Sequence, residues 1–443
     1  MFSCLRWISL FWLVAIGISY AQITTVMLSQ GGEPVELSCE GQADSGFTYQ
    51  WYRKSSYSTN TMLPIAGADS SHYVTDSFPD REVRHYYCVV SSPDGESAVS
   101  NAVVAAYTGL PVVNINTVEG EEPSAEYVYA PDGLNGRGIT NASKVPASME
   151  IVDGNGNLLY ESGEYVQKES GLTVKIRGNT SVDLAGKSSY KLKLQKKADL
   201  LASLISRSDD SYRNKDWILL KTTRTLDTFI GFTVCDILGT PWTPKYAFVE
   251  LVVNNDYRGL YLLMESVSRD ESRVDVSKSG YIIENDAYWW NEEVYFSTSK
   301  YKQKYTFKYP DDEDISEDRI SYIKDFMDSL EEHLRDGSYN EYIDVESFAR
   351  WLLVHDILGS FDAAGSNIFM SKYDATSETK LSMVTNWDFD SNFRQEGNWS
   401  KQHDAEVAYA PFLFRSDDPK FAETYLALFD SLAPIFGTLS NRR

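Results

Sequence analysis

The spacing of Cys39, Trp51, Tyr86 and Cys88 constrains this chain more than any other feature. Val35, Leu37 and Cys39 alternate in PVELSCEG, Trp51 follows in TYQWYRK, and Tyr86 stands two residues before Cys88 in RHYYCVV. Alternation of this kind turns one side of a strand inward. Two cysteines, Cys39 and Cys88, can be joined by a disulfide where the compartment permits it. Closing a loop of this size would stabilise by about 4 kcal/mol in the chain-entropy model. The plainer alternative is two unpaired buried cysteines. A disulfide needs an oxidising compartment, and the N-terminus carries a matching address. In MFSCLRWISLFWLVAIGISYA, Arg6 is the positive region, Trp7–Ile18 the apolar run and Ser19-Tyr20-Ala21 a small-x-small site, with cleavage expected before Gln22. The alternative is a membrane anchor, but the run is shorter than the ~20 residues a spanning helix needs. No later stretch is long and apolar enough to span.

The four residues resemble the pattern of an immunoglobulin-like sandwich, placed here at residues 23–108, which implies a Cys39–Cys88 disulfide bridging two sheets, the Trp51 indole packed against it and the Tyr86 hydroxyl pinning a corner. Such a module implies adhesion or targeting and has no chemistry of its own. Ala105–Pro111 reads as its exit strand and a linker. At roughly 100–200 residues per domain, 443 residues predict two or three domains, and 111–443 is taken as one large domain, with a domain incomplete at its C-terminus as the alternative. Strands are expected at Val112–Thr117, Thr173–Arg177, Tyr190–Leu194 and Tyr281–Glu284. Hairpins are expected around DGNGN (153–157), around NNDYR (254–258), and from Ile368–Tyr373 to Lys380–Val384. DGNGN also overlaps a calcium-loop spacing (Asp153, Asn155, Asn157, Glu164), but Leu158 stands where that loop needs glycine, so a turn is preferred. Helices are expected at Asp227–Leu238, Arg319–Leu334 and Val345–Leu358. Strands come first and helices later, which predicts α+β.

Charge narrows the function classes. Asp and Glu number 64 against 41 Lys and Arg, a net charge of −23, which argues against a nucleic-acid protein resting on bulk positive charge. The chain has no G-x-S-x-G elbow, H-E-x-x-H, C-x-x-C or Walker A loop, and GLNGRG (133–138) fails the dinucleotide spacing. Its five histidines show no ligand spacing; His355, in an apolar helix, reads as a core residue, and Cys235 as a buried structural thiol.

Three sites stand out within the acidic chain. Lys175, Arg177, Lys187, Lys191 and Lys193 form a basic set; Lys175 and Arg177 share one strand face, as do Lys191 and Lys193. Cations on adjacent strands can hold nucleotide phosphates, though solvated lysines on an exposed sheet look the same. Asp362 and Asn367 have the spacing of a kinase catalytic loop, which a helix-ending turn also has. Asp388 and Asp390, in NWDFD after a strand, are candidate Mg²⁺ ligands, and they point the same way only if the strand continues.

Taken in order, IRGNTS (176–181), SYKLKL (189–194), DWILL (216–220), FVELVVNNDYRGLYLLMES (248–266), GYIIEND (280–286), SFARWLLVHDI (347–357), SNIFM (366–370) and NWDFD (386–390) resemble the spore-coat CotH kinase family. The resemblance implies an atypical protein-kinase-like fold and phosphorylation of protein Ser/Thr hydroxyls with ATP and Mg²⁺ or Mn²⁺. It also implies a secreted or cell-surface protein acting on a coat or surface acceptor, with neither nucleic acid nor an integral membrane span. Residue by residue, Asp362 takes the catalytic role. Asn367, Asp388 and Asp390 take the metal roles. Arg177, Lys187 and Lys191 take the nucleotide, and Glu250 and Glu265 stand where an acidic residue orients a lysine, or have a structural role. The alternative is a catalytically inactive CotH-like adhesin. It rests on Ser366 in place of the family's basic residue, on Asn386 where an apolar residue is expected, on the tandem sandwich, and on Tyr288-Trp289-Trp290. Asn141, Asn179 and Asn398 lie in N-x-S/T sequons, and a glycan on Asn179 would block the proposed nucleotide turn.

Overall fold

The computed structural model describes residues 25–39, 46–56, 59–100, 102–208, 210–221, 225–360, 367–391, 393 and 408–440. The signal-like segment, Asp362 and Asn398 lie outside these residues. The chain is β-rich, and among the described residues every α-helix follows Thr225. It divides into two compact units: one drawn from the segments up to Gly120, Ser148–Gly163 and Phe248–Leu260, the other from Glu121–Ala147, Glu164–Ala247 and Tyr261 onward.

The first unit contains an immunoglobulin-like sandwich. One sheet orders Thr25–Leu28, Val103–Tyr107, Glu82–Ser91, Thr48–Ser56 and Thr59–Pro64, with Ser97–Val99 also on Glu82–Ser91. The smaller sheet pairs Glu36–Ser38 with His72–Val74. Leu37, Cys39, Trp51, Phe78, Tyr86, Cys88 and Val90 form the core. The Trp51 indole N–H donates to the Ser70 carbonyl at 2.9 Å, so the buried ring keeps its polar atom satisfied. The corner is pinned through Arg84, whose guanidinium bonds the Asp76 and Ser77 carbonyls at 2.8 Å each and the Tyr86 hydroxyl. The expected disulfide is not formed in this structure. Cys39 and Cys88 are buried free thiols, hydrogen-bonded to one another. Their adjacency comes from packing, whereas joining them is oxidation chemistry that packing alone does not perform.

Elsewhere in this unit Val112–Thr117 runs parallel to Tyr246–Val253, with Val112 opposite Glu250. Asp153 closes its hairpin turn by accepting from the backbone N–H groups of Asn155 and Asn157 at 2.8 and 2.9 Å.

The second unit has two larger antiparallel sheets. In one, Leu172–Arg177 pairs with Ser189–Ala198, which pairs with Asn214–Lys221, which pairs with residues 261–265. The other orders Tyr295–Ser297, Lys304–Tyr309, Tyr281–Asn285, Ile368–Lys372 and Leu381–Met383. The helices begin and end where local chemistry dictates. Ser316 caps Glu317–Glu332, and Asp344 accepts from the Glu346 and Ser347 N–H groups to start Val345–Leu358. Gly359, at φ 57°, ends that helix in the left-handed conformation. Tyr281 and Ile283 enter one core with Ile323, Met327 and Phe348, whereas Ile282 enters another with Ile218, Phe232, Met264 and Trp387. The second sheet is thus apolar on both faces, and a charge within its strands needs a reason.

Candidate functional site

Register turns the basic residues into a surface. Lys175 lies opposite Lys191 and Thr173 opposite Lys193, so Lys175, Arg177, Lys191 and Lys193 share one face of the first sheet. The next strand brings Asp216 opposite Lys193, and its carboxylate lies 3.7 and 3.9 Å from the Lys191 and Lys193 ammonium groups. Burial pushes the pKa of Arg177 down, against the opposing pull of Asp388 and Glu284. Burial likewise lowers Lys191, with Asp216 opposing and Lys193, Lys308 and Arg177 adding to the shift. No ion pair engages Arg177 among the described residues, although its guanidinium carbon lies 6.0 Å from the centroid of the Trp387 ring.

Three sequence candidates do not join this face. The Lys187 ammonium rests 4.3 Å from the ring centroid of Tyr261, whose side chain belongs to the opposite face. Glu265 lies opposite Trp217 on that same reverse face. There it takes Arg207 at 2.7 Å and the Lys245 backbone N–H at 3.0 Å. Glu250 belongs to the other compact unit and accepts from the Tyr257 hydroxyl at 2.7 Å.

The NWDFD segment is held from behind. A methyl group on Gly231, in helix Thr225–Leu238, would come closer than 3.0 Å to three ring carbons of Phe389. Glycine therefore lets that ring lie against the helix. Phe232 meets the rings of Phe389 and Trp387 edge-on, with centroids 5.3 and 6.4 Å apart. Asn386 is fully buried; its amide donates to the Trp351 carbonyl at 2.9 Å, which is why a polar side chain occupies a position expected to be apolar. Asp388, at φ 59°, is thereby turned outward while Trp387 and Phe389 stay buried. Asn367, at φ 61°, points its amide nitrogen to within 3.4 Å of the Asp388 carboxylate. The left-handed Asp388 breaks the extended run, and Asp390 follows in a 3₁₀ turn, half-buried. The strand therefore does not continue through the two aspartates.

Sequence reasoning missed four residues here. The Lys308 ammonium lies 2.8 Å from the Glu284 carboxylate, with Asp286 and Glu292 also within its field. Burial disfavours the Lys308 charge, but these carboxylates outweigh it and raise its pKa. Burial raises Glu284, with Lys308 opposing. The signals were a charge in the apolar strand YIIEN and the alternation of KYTFKY.

Asn367 and Asp388 bring an amide and a carboxylate together, with the amide nitrogen facing the carboxylate; the carboxylate oxygens, and the amide oxygen once that side chain turns, are hard donors of the kind Mg²⁺ takes. Among the described residues no group of three or more His, Cys, Asp or Glu is arranged to hold a metal by itself. A separate surface cavity of about 610 Å³, lined by Lys197, Arg213, Arg269, Asp270, Glu271 and Tyr373 among others, shares no residue with this site.

The comparisons with known proteins bear on the same region. A family model described as CotH kinase protein matches residues 174–429. No curated protein matches the chain. Among solved structures, the N-terminal eight Ig domains of Down Syndrome Cell Adhesion Molecule (DSCAM) isoform 1.30.30 are 14% identical, with a TM-score of 0.17, over 59% of this chain and 38% of that one. This chain thus spans well under half of that protein's length.

Proposed function

The chain belongs to the CotH kinase family, and from that premise we propose that it transfers the γ-phosphate of ATP to Ser/Thr hydroxyls of a surface or coat protein. The second unit's paired sheets and later helices are read as an atypical kinase-like α+β arrangement. The protein is taken to be secreted, with the immunoglobulin-like module as its targeting element.

One observation carries this reading. Arg177, partly buried and with no ion-pair partner among the described residues, lies in the field of Asp388, which itself stands beside Asn367. A half-buried guanidinium without a carboxylate at contact distance suits a phosphate.

In the reaction the acceptor hydroxyl oxygen attacks the γ-phosphorus, and the bond to the oxygen bridging the β- and γ-phosphates breaks. Its electron pair leaves with ADP, and the hydroxyl proton passes to Asp362. Arg177 and Lys191 offset charge on the phosphates, and their fixed positions supply orientation. Asn367 and Asp388 would hold Mg²⁺, with Asp390 the third candidate. When bound, that ion neutralises charge on the phosphate oxygens.

The test is phosphate incorporation from γ-labelled ATP with Mg²⁺ or Mn²⁺, into the protein itself and into a Ser-rich acceptor, for the wild type and Asp388→Ala. Incorporation lost in the variant is expected. A folded wild type that neither incorporates phosphate nor binds ATP would favour the second reading, an inactive adhesin. One observation favours that reading: the sequon residue Asn179 sits, partly exposed, two residues after Arg177.

A further inference from the structure

Strand pairing singles out Lys308. Ile282 lies opposite Tyr309, but Ile283 lies opposite Phe307. One residue on one strand therefore faces two on the other, and Lys308 is the extra residue of a β-bulge. Thr306 lies opposite Glu284, so alternation already puts Lys308 on the Glu284 face, and the bulge there loosens the pairing, as bulges beside active sites do. The Lys308 ammonium lies 2.8 Å from Glu284, with about a third of the lysine side chain still open to solvent.

The charges around it form a sequence across the site. Asp388 and Glu284 both act on Arg177; Glu284 holds Lys308; Lys308 acts in turn on Lys191. An ammonium has three donors. Glu284 takes one, and the other two have no acceptor among the described residues. A buried carboxylate that fixes a lysine while leaving donors free serves to present that lysine to a further anion.

We propose that Lys308 is a direct ligand of the nucleotide phosphates and that Glu284 is the positioning residue that orients it, the role the sequence had suggested for Glu250 and Glu265. This rests on the kinase reading above. It adds a third cation to Arg177 and Lys191, contributed by the second sheet.

The experiment is calorimetric binding of ATP, ADP and adenosine, with Mg²⁺, to the full chain and to Lys308→Met, Glu284→Gln and the double variant Lys308→Met/Glu284→Leu. Lys308→Met is expected to weaken ATP and ADP by about 10- to 100-fold, the loss of one charge-assisted bond, and to leave adenosine unchanged. Glu284→Gln is expected to weaken ATP by less, again sparing adenosine. Removing one partner of a buried pair can unfold a protein, whereas removing both is commonly tolerated, so the double variant decides the matter where a single one fails to fold. A folded double variant that binds ATP like the wild type overturns the assignment and makes the pair structural. A wild type that binds ATP, with Lys308→Met unaffected, overturns it and leaves the kinase reading standing. A wild type that binds neither ATP nor ADP removes both.

Discussion

Gly231→Ala probes how Asp388 is held. The added methyl would sit closer than 3.0 Å to Cγ, Cδ1 and Cδ2 of Phe389, where carbon atoms ordinarily keep about 3.5–4.0 Å. The ring must retreat by on the order of 1 Å from a helix whose Gly231 and Phe232 it packs against in a close-packed interior. Overpacking of this kind costs about 1–3 kcal/mol, and three simultaneous overlaps place this site at the upper end. Alanine returns about 1 kcal/mol through helix propensity, leaving a net loss of about 2 kcal/mol. In a Phe389→Ala background the overlap disappears and only the propensity remains, so the same substitution should stabilise by up to about 1 kcal/mol. The assay is a four-protein cycle of urea unfolding curves followed by tryptophan fluorescence and circular dichroism. Phe389→Ala alone should cost about 3–5 kcal/mol. The reasoning fails if Gly231→Ala shifts stability by the same amount and sign in both backgrounds.

The remaining predictions concern groups away from the phosphates. His355 is fully buried with no hydrogen-bond partner on either ring nitrogen among the described residues, and burial pushes its pKa down to about 3. Below its ordinary value near 6.5 the unfolded chain takes up a proton that the folded chain refuses, so stability falls as pH drops, by about 2 kcal/mol at pH 5. His355→Leu should remove that part of the slope between pH 7 and 5; an unchanged slope in matched denaturation curves would contradict this. For Cys39 and Cys88, protein recovered from an oxidising compartment should yield a linked peptide pair on non-reducing mass mapping. Reduction should then cost the sandwich about 4 kcal/mol, a sensitivity that Cys39→Ala abolishes; unlinked peptides would refute the pairing.

What could be read in the sequence, and what could not, follows from the range of each signal. The ends of Val345–Leu358 were legible because Asp344 and Gly359 act within one turn of themselves, whereas the helix expected at Arg319–Leu334 runs Glu317–Glu332, starting at its Ser316 cap two residues earlier. Hairpins were legible because Asp153 satisfies its own neighbours. Lys175 with Arg177, and Lys191 with Lys193, could be placed on common faces because parity is a property of a single strand. That the two pairs share one face required the Lys175–Lys191 register, which arises from pairing between strands. Register also decides between the two roles left open for Glu265, whose face is set by lying opposite Trp217. Lys308 was hidden because its strand went unread, and because its partner Glu284 lies on another strand whose register no single strand reveals. Asn386 looked like a departure because the Trp351 carbonyl it satisfies is distant in sequence.

The parallel pairing of Val112–Thr117 with Tyr246–Val253 carries a consequence for the newborn chain. Val112 must wait for Glu250, so during synthesis an apolar strand, VVNINT, stays unpaired along that edge while more than a hundred residues emerge. Unpaired apolar edges recruit other chains. A truncation ending anywhere between residues 118 and 245 leaves that edge permanently open, and insolubility of such a fragment would reflect the missing neighbour strand, not a fault in the sandwich that precedes it.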